Sequence, residues 1–84
     1  MKYIHVHLLD GNEPIILNTS LILRVKQGGA RRTNTFAEPK AVWKTTTVDV
    51  RMSGNLLVDY RIKVEEWNKA VRTAGVPDLQ WIDK

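Results

Sequence analysis

Residues 43–74 read WKTTTVDVRMSGNLLVDYRIKVEEWNKAVRTA, and a change of rhythm inside that stretch decides the fold. From Thr47 the residues alternate, with Val48, Val50 and Met52 on one face of an extended chain and Thr47, Asp49 and Arg51 on the other. The β-branched run Thr45 to Val48 agrees with that pattern. Ser53-Gly54-Asn55 supplies residues that tolerate the positive φ of tight connections, so the chain reverses there and Leu56 to Tyr60 returns as a second, more apolar strand. After Arg61 the apolar spacing lengthens from two to about 3.6 residues, because Val64, Trp67, Val71 and Ala74 recur along one side of a helix. Glu65 and Glu66 come early in it and Lys69 and Arg72 late, which suits the helix dipole. No Ser, Thr, Asp or Asn caps its start; Gly75 and Pro77 mark its end.

Upstream, Tyr3 to Leu9 alternates as a first strand, with Ile4, Val6 and Leu8 on one face and Tyr3, His5, His7 and Leu9 on the other. Asp10-Gly11-Asn12 is a strong hairpin signal, and Pro14 to Leu17 resumes the apolar run, with Pro14 at the start or open side of its strand. Asn18-Thr19-Ser20 suits one capped helical turn or a polar bend. Leu21 to Lys26 follows as a third strand, with Leu23 and Val25 inward, Arg24 and Lys26 outward and Ile22 in the corner. Residues 27–41 read as one long irregular, basic loop, with Gly28-Gly29 inside it, Glu38-Pro39 interrupting it and Phe36 as its apolar anchor. Downstream, the tail 76–84 carries Leu79, Trp81 and Ile82 and is too apolar for a free end, so it folds back or meets a partner.

The sum is a single domain over 1–84. Its fold class is α+β, a small antiparallel sheet of about five strands with one C-terminal helix packed on one face. A length of 84 residues leaves room for one modest core. The absence of cysteine excludes disulfides and thiolate metal sites. No signal-peptide core opens the sequence and no run approaches the roughly 18 apolar residues of a membrane span, so the expectation is a cytoplasmic protein with no membrane contact.

His5 and His7 share a strand face where two imidazoles could hold a metal, yet no third ligand is in sight, and they read as surface histidines. The chain has no phosphate-binding G-x-x-x-x-G-K-[ST] loop, no G-x-S-x-G elbow and no cysteine nucleophile. No catalytic residue, cofactor or metal is therefore expected, and the chain does not read as an enzyme. Net charge is +4, and Arg24, Lys26, Arg31, Arg32, Lys40 and Lys44 cluster against the single acid Glu38. With Phe36 and Trp43 nearby, that cluster suits either the phosphates and bases of a nucleic acid or an acidic protein partner. The Trp67 stripe reads as core, while Phe36 and Trp81 are candidate protein contacts, Trp81 as a possible homodimer seam. The functional expectation is a non-catalytic interaction or accessory protein of bacterial or phage type that binds a protein partner or itself. The alternative is a nucleic-acid binder using the basic 24–44 region.

The order Ile4-x-Val6-x-Leu8-x-Asp10-Gly11, Ile16-x-Asn18-x-x-x-Ile22-x-x-Val25, Thr47-x-Asp49-x-x-x-x-Gly54 and Val64-Glu65-Glu66 resembles the small FlbD/SwrD-type proteins of bacteria over roughly residues 4–71. That resemblance implies a few strands and a C-terminal helix, in a family associated with flagellar and swarming motility. The long basic loop, the uncapped helix start and the tryptophan-bearing tail depart from it. The strand-turn-strand-helix order also looks like the first part of LytTR-type DNA-binding domains, as an analogy of shape.

Overall fold

The computed structural model describes residues 2–33, 42–54 and 58–83. Along the chain come β1 (Tyr3–His7), β2 (Pro14–Asn18), a 3-10 turn (Thr19–Leu21), β3 (Ile22–Thr33), β4 (Val42–Met52), β5 (Val58–Lys63), α1 (Val64–Thr73) and a second 3-10 turn (Pro77–Leu79). β1 and β2 pair as an antiparallel hairpin, with Ile4 opposite Leu17 and Val6 opposite Ile15. Gly11 and Asn12 take the positive φ values of 74° and 53° that the reversal requires. The following turn forms because Asn18 Oδ1 accepts from the Ser20 N–H at 3.0 Å and the Ser20 hydroxyl at 2.7 Å.

The other three strands form an antiparallel sheet in the order β3-β4-β5. The expectation of one sheet of about five strands is thus corrected to two sheets, of two and three strands. Leu9 N–H does reach Arg61 C=O at 2.9 Å, but β1 and β5 form no ladder, because the β1–β2 hairpin lays its apolar face against the shared core. Ile4, Val6 and Leu17 from the hairpin, Val48, Val50 and Ile62 from the sheet, and Trp67 and Val71 from α1 are buried together.

Two readings of β3 are corrected. Leu23, expected inward, is 55% exposed, because the register shifts between Ile22 opposite Met52 and Arg24 opposite Arg51 and leaves Leu23 as the extra residue. The expected irregular loop from Gln27 is strand as far as Thr33. Glycine makes this possible: a Cβ on Gly28 would stand 2.6 Å from Asp49 Oδ1 and 2.8 Å from Thr47 Oγ1, so the bare backbone lets those β4 side chains lie across it. Residues 34–41, with Phe36 and Lys40, and residues 55–57 lie outside the described residues.

The helix begins at Val64 with no side-chain cap from Lys63, in line with the sequence. It ends at Thr73, and just beyond it Gly75, with a φ of 77°, lets Gly75 N–H reach Arg72 C=O at 3.1 Å and Val76 N–H reach Val71 C=O at 2.9 Å. No helix of the described residues is long and apolar enough to cross a membrane.

Candidate functional site

The tail folds back because three side chains hold it. Trp67, fully buried on α1, donates its indole N–H to Leu79 C=O at 2.7 Å. Asn68, one residue on, accepts from Trp81 N–H at 2.8 Å and donates to Trp81 C=O at 3.0 Å. At the far end, Asp83 accepts from the Thr45 hydroxyl and, at 3.2 Å, from Thr45 N–H. The Trp81 indole N–H is shared between Thr45 Oγ1 at 2.9 Å and Asp83 Oδ1 at 3.1 Å. Those hydrogen bonds, from Thr45 first and Trp81 second, hold the Asp83 carboxyl below its ordinary pKa.

Held in this way, the tail stands off from β3 and leaves a groove of 850 Å³ between them. Ile22, Leu23, Arg24, Val25 and Gln27 form the β3 wall, and Leu79, Trp81 and Ile82, with the polar Asp78, Gln80 and Asp83 between and beside them, form the tail wall. Trp43 closes one end beside Thr45. The surface is unusually apolar for exposed residues: Trp43 is 63% exposed, Leu23 55% and Ile82 74%. Trp81 is half-buried, so it anchors the tail and lines the groove at once.

Of the basic residues named from the sequence, Arg24, Lys26, Arg31, Arg32 and Lys44 lie on β3 and β4. Cross-strand partners share a face, so Arg24 and Lys26 lie with Arg51 and Asp49 on the side of the sheet away from Val25 and Val50. There they complete two rows, Arg24–Arg51–Asp59 and Lys26–Asp49–Arg61. Arg51 Nε stands 2.9 Å from Asp59 Oδ1, and Arg61 Nε 3.1 Å from Asp49 Oδ1. The Arg51 hydrogen bond lowers the Asp59 pKa, and each guanidinium is raised by its carboxylate partner. Further along, Arg31 lies opposite Lys44 on one face of the β3–β4 ribbon and Arg32 opposite Trp43 on the other. The Trp43 face is the groove side, since Trp43 and Thr45 both line it. Lys40 and Phe36 lie outside the described residues.

His7 uses its Nδ1 at 2.8 Å and its backbone N–H at 3.0 Å on a single oxygen of Glu66. Among the described residues no three His, Cys, Asp or Glu side chains converge as metal ligands. Sequence reasoning missed Asn68, Thr45 and Asp83 as the tail's fixings. A carboxamide interrupting a strong helix former run at Asn68 is a faint signal, and an acid two residues past Trp81 is another. No family model matches the chain, and no curated protein or solved structure matches it either.

Proposed function

We propose that this is a non-catalytic binding protein that seats a segment of a protein partner in the groove between β3 and the folded-back tail. The observation that carries the reading is the solvent-facing Trp43 at the end of an apolar groove whose walls also present Leu23 and Ile82. Large aromatic side chains in a concave apolar setting supply most of the energy of protein contacts. Trp81, the contact named from sequence, serves this function indirectly as well, because its hydrogen bonds to Asn68 and Thr45 fasten the tail that forms one wall of the groove.

Trp43→Ala and Leu23→Asp are the clean tests, since both side chains are exposed and neither holds the tail. Immobilised wild-type protein should retain a partner from host extract that both variants release. Equal retention by all three removes the reading.

A second reading rests on the register pair Arg31–Lys44, which puts two cations side by side on the face of a two-stranded ribbon, a shape that fits a nucleic-acid groove. It predicts oligonucleotide binding that weakens steeply with salt and is lost in the Arg31→Ala, Arg32→Ala double variant. Binding that ignores both changes excludes it.

A further inference from the structure

We infer that the groove's occupant is an extended acidic segment of a partner protein, added as a further strand to the open edge of β3, with alternate apolar side chains entering the groove. The inference rests on the groove reading above and specifies the chemistry of what fills it.

Among the described residues β3 is an edge strand, with β4 on one side and no strand on the other. An edge of this kind presents alternating N–H and C=O groups that another strand satisfies. The groove adjoins this strand, since Ile22, Leu23, Arg24, Val25 and Gln27 form one of its walls. Register shifts at Leu23 and at Gly28 bound a regular stretch from Arg24 to Gln27, which fixes the window available for pairing. Within it, Val25 and Gln27 lie on the face of Val50 and Val48, where the groove is, and Arg24 and Lys26 register with Arg51 and Asp49 on the opposite face, with Arg24 also bordering the groove. A strand laid beside this window therefore sends every second side chain into the groove and every other one to the positions flanking Arg24 and Lys26.

Charge selects among strands. In one row the carboxylate, Asp59, stands on β5 and is ion-paired with Arg51; in the other it is Asp49 on the middle strand, opposite Lys26 but ion-paired with Arg61, and Arg24 and Lys26 act on Asp59 only through space. Neither Arg24 nor Lys26 has a carboxylate within ion-pair distance among the described residues. The two rows thus end at the open edge in cations, and an incoming Asp or Glu beside each would complete them. A second copy of this chain is the wrong occupant, because antiparallel self-pairing about Val25 sets Arg24 against Lys26 on both sides. The same cations and register shifts that guard the edge against neutral or like-charged strands leave it open to an acidic one. Phosphates satisfy the cations but offer no donor to the edge carbonyls and nothing to the apolar wall.

The test uses labelled short peptides and fluorescence anisotropy with the full chain. A peptide of alternating Glu and Val should bind, while a Lys–Val counterpart and a peptide with the same Glu and Val in two blocks should not. Methylating the backbone nitrogens of the Glu residues blocks one peptide edge, and methylating those of the Val residues blocks the other. One methylated form should lose about tenfold or more in affinity and the other should hold. Lys26→Glu, at an exposed position, should weaken the Glu–Val peptide roughly five- to tenfold and strengthen the Lys–Val one.

Equal binding of both methylated peptides overturns strand addition while leaving the groove intact. Absence of Glu–Val binding, with a Trp43-dependent partner still retained, overturns the inference alone. Peptide binding that survives both Trp43→Ala and Leu23→Asp removes the groove reading and the inference together. Displacement of the peptide by a single-stranded oligonucleotide, with the block peptide binding as well as the alternating one, shows a general polyanion surface and overturns the inference.

Discussion

Asn68 holds the Trp81 backbone as a neighbouring strand would, taking its N–H at 2.8 Å and giving a hydrogen to its C=O at 3.0 Å. One side chain on the helix thereby satisfies both polar groups of a tail residue that lies outside any sheet.

Asn68→Asp keeps the acceptor but turns a carboxylate toward the Trp81 carbonyl. The expected loss is about 1–3 kcal/mol of stability, the cost of one broken partly buried hydrogen bond and a repulsive contact. Denaturant unfolding measures it, and hydrogen exchange at the Trp81 amide should quicken in the same variant. Unchanged exchange would mean that the tail is held elsewhere.

Acid should loosen the tail before it unfolds the domain. The Asp83 carboxyl is held below its ordinary value of 3.8 when folded, by Thr45 and then Trp81, so between the two pKa values the released tail binds more protons than the docked one. Its contribution is therefore complete above the ordinary value and disappears as pH falls through the lowered one. The Trp81 indole N–H resonance should move across that window in wild-type protein and stay put in Asp83→Asn.

Gly28→Ala should cost more than Gly29→Ala. A methyl at Gly28 meets Asp49 Oδ1 at 2.6 Å and Thr47 Oγ1 at 2.8 Å, whereas at Gly29 the nearest atoms are 3.2 Å and 3.3 Å away. Displacing Asp49 also strains its pairing with Arg61. A loss of about 1–3 kcal/mol is expected at Gly28, in the range of other overpacked sites. Equal melting temperatures for the two variants would contradict the close packing of β3 on β4.

The tryptophans should divide by role. Trp67→Ala removes a fully buried ring and its bond to Leu79, for about 3–5 kcal/mol. Trp43→Ala removes a side chain that is 63% exposed, and a change within about 0.5 kcal/mol is expected. Thermal melts of the two variants make the comparison, and a large loss at Trp43 would mark it as structural.

Much of this architecture is legible in local chemistry. The alternation of Ile4 and Val6, the Gly11-Asn12 turn, the 3.6-residue spacing of Val64, Trp67 and Val71, and the stop at Gly75 all reappear as β1, its hairpin and α1. What escapes is long-range. Gly28-Gly29 reads as loop because glycine disfavours strands in general, yet here its lack of a side chain is what β4 requires. Leu23 reads as inward because a register shift leaves no mark in the pattern of one strand. The partition into two sheets depends on where the hairpin packs, which no single stretch encodes. The groove could not be read at all, since it exists only when Asn68, Thr45 and Asp83 fold the tail across from β3.

One inheritance of this layout is optical. Trp67 sits sealed in the interior, Trp81 in a half-shielded clasp and Trp43 in open solvent, so their emission colours should run from blue to red in that order. Quenching by a small solute therefore reports on the rim first, the clasp next and the interior last, and the molecule carries its own three dyes for watching what docks, what lets go and what melts.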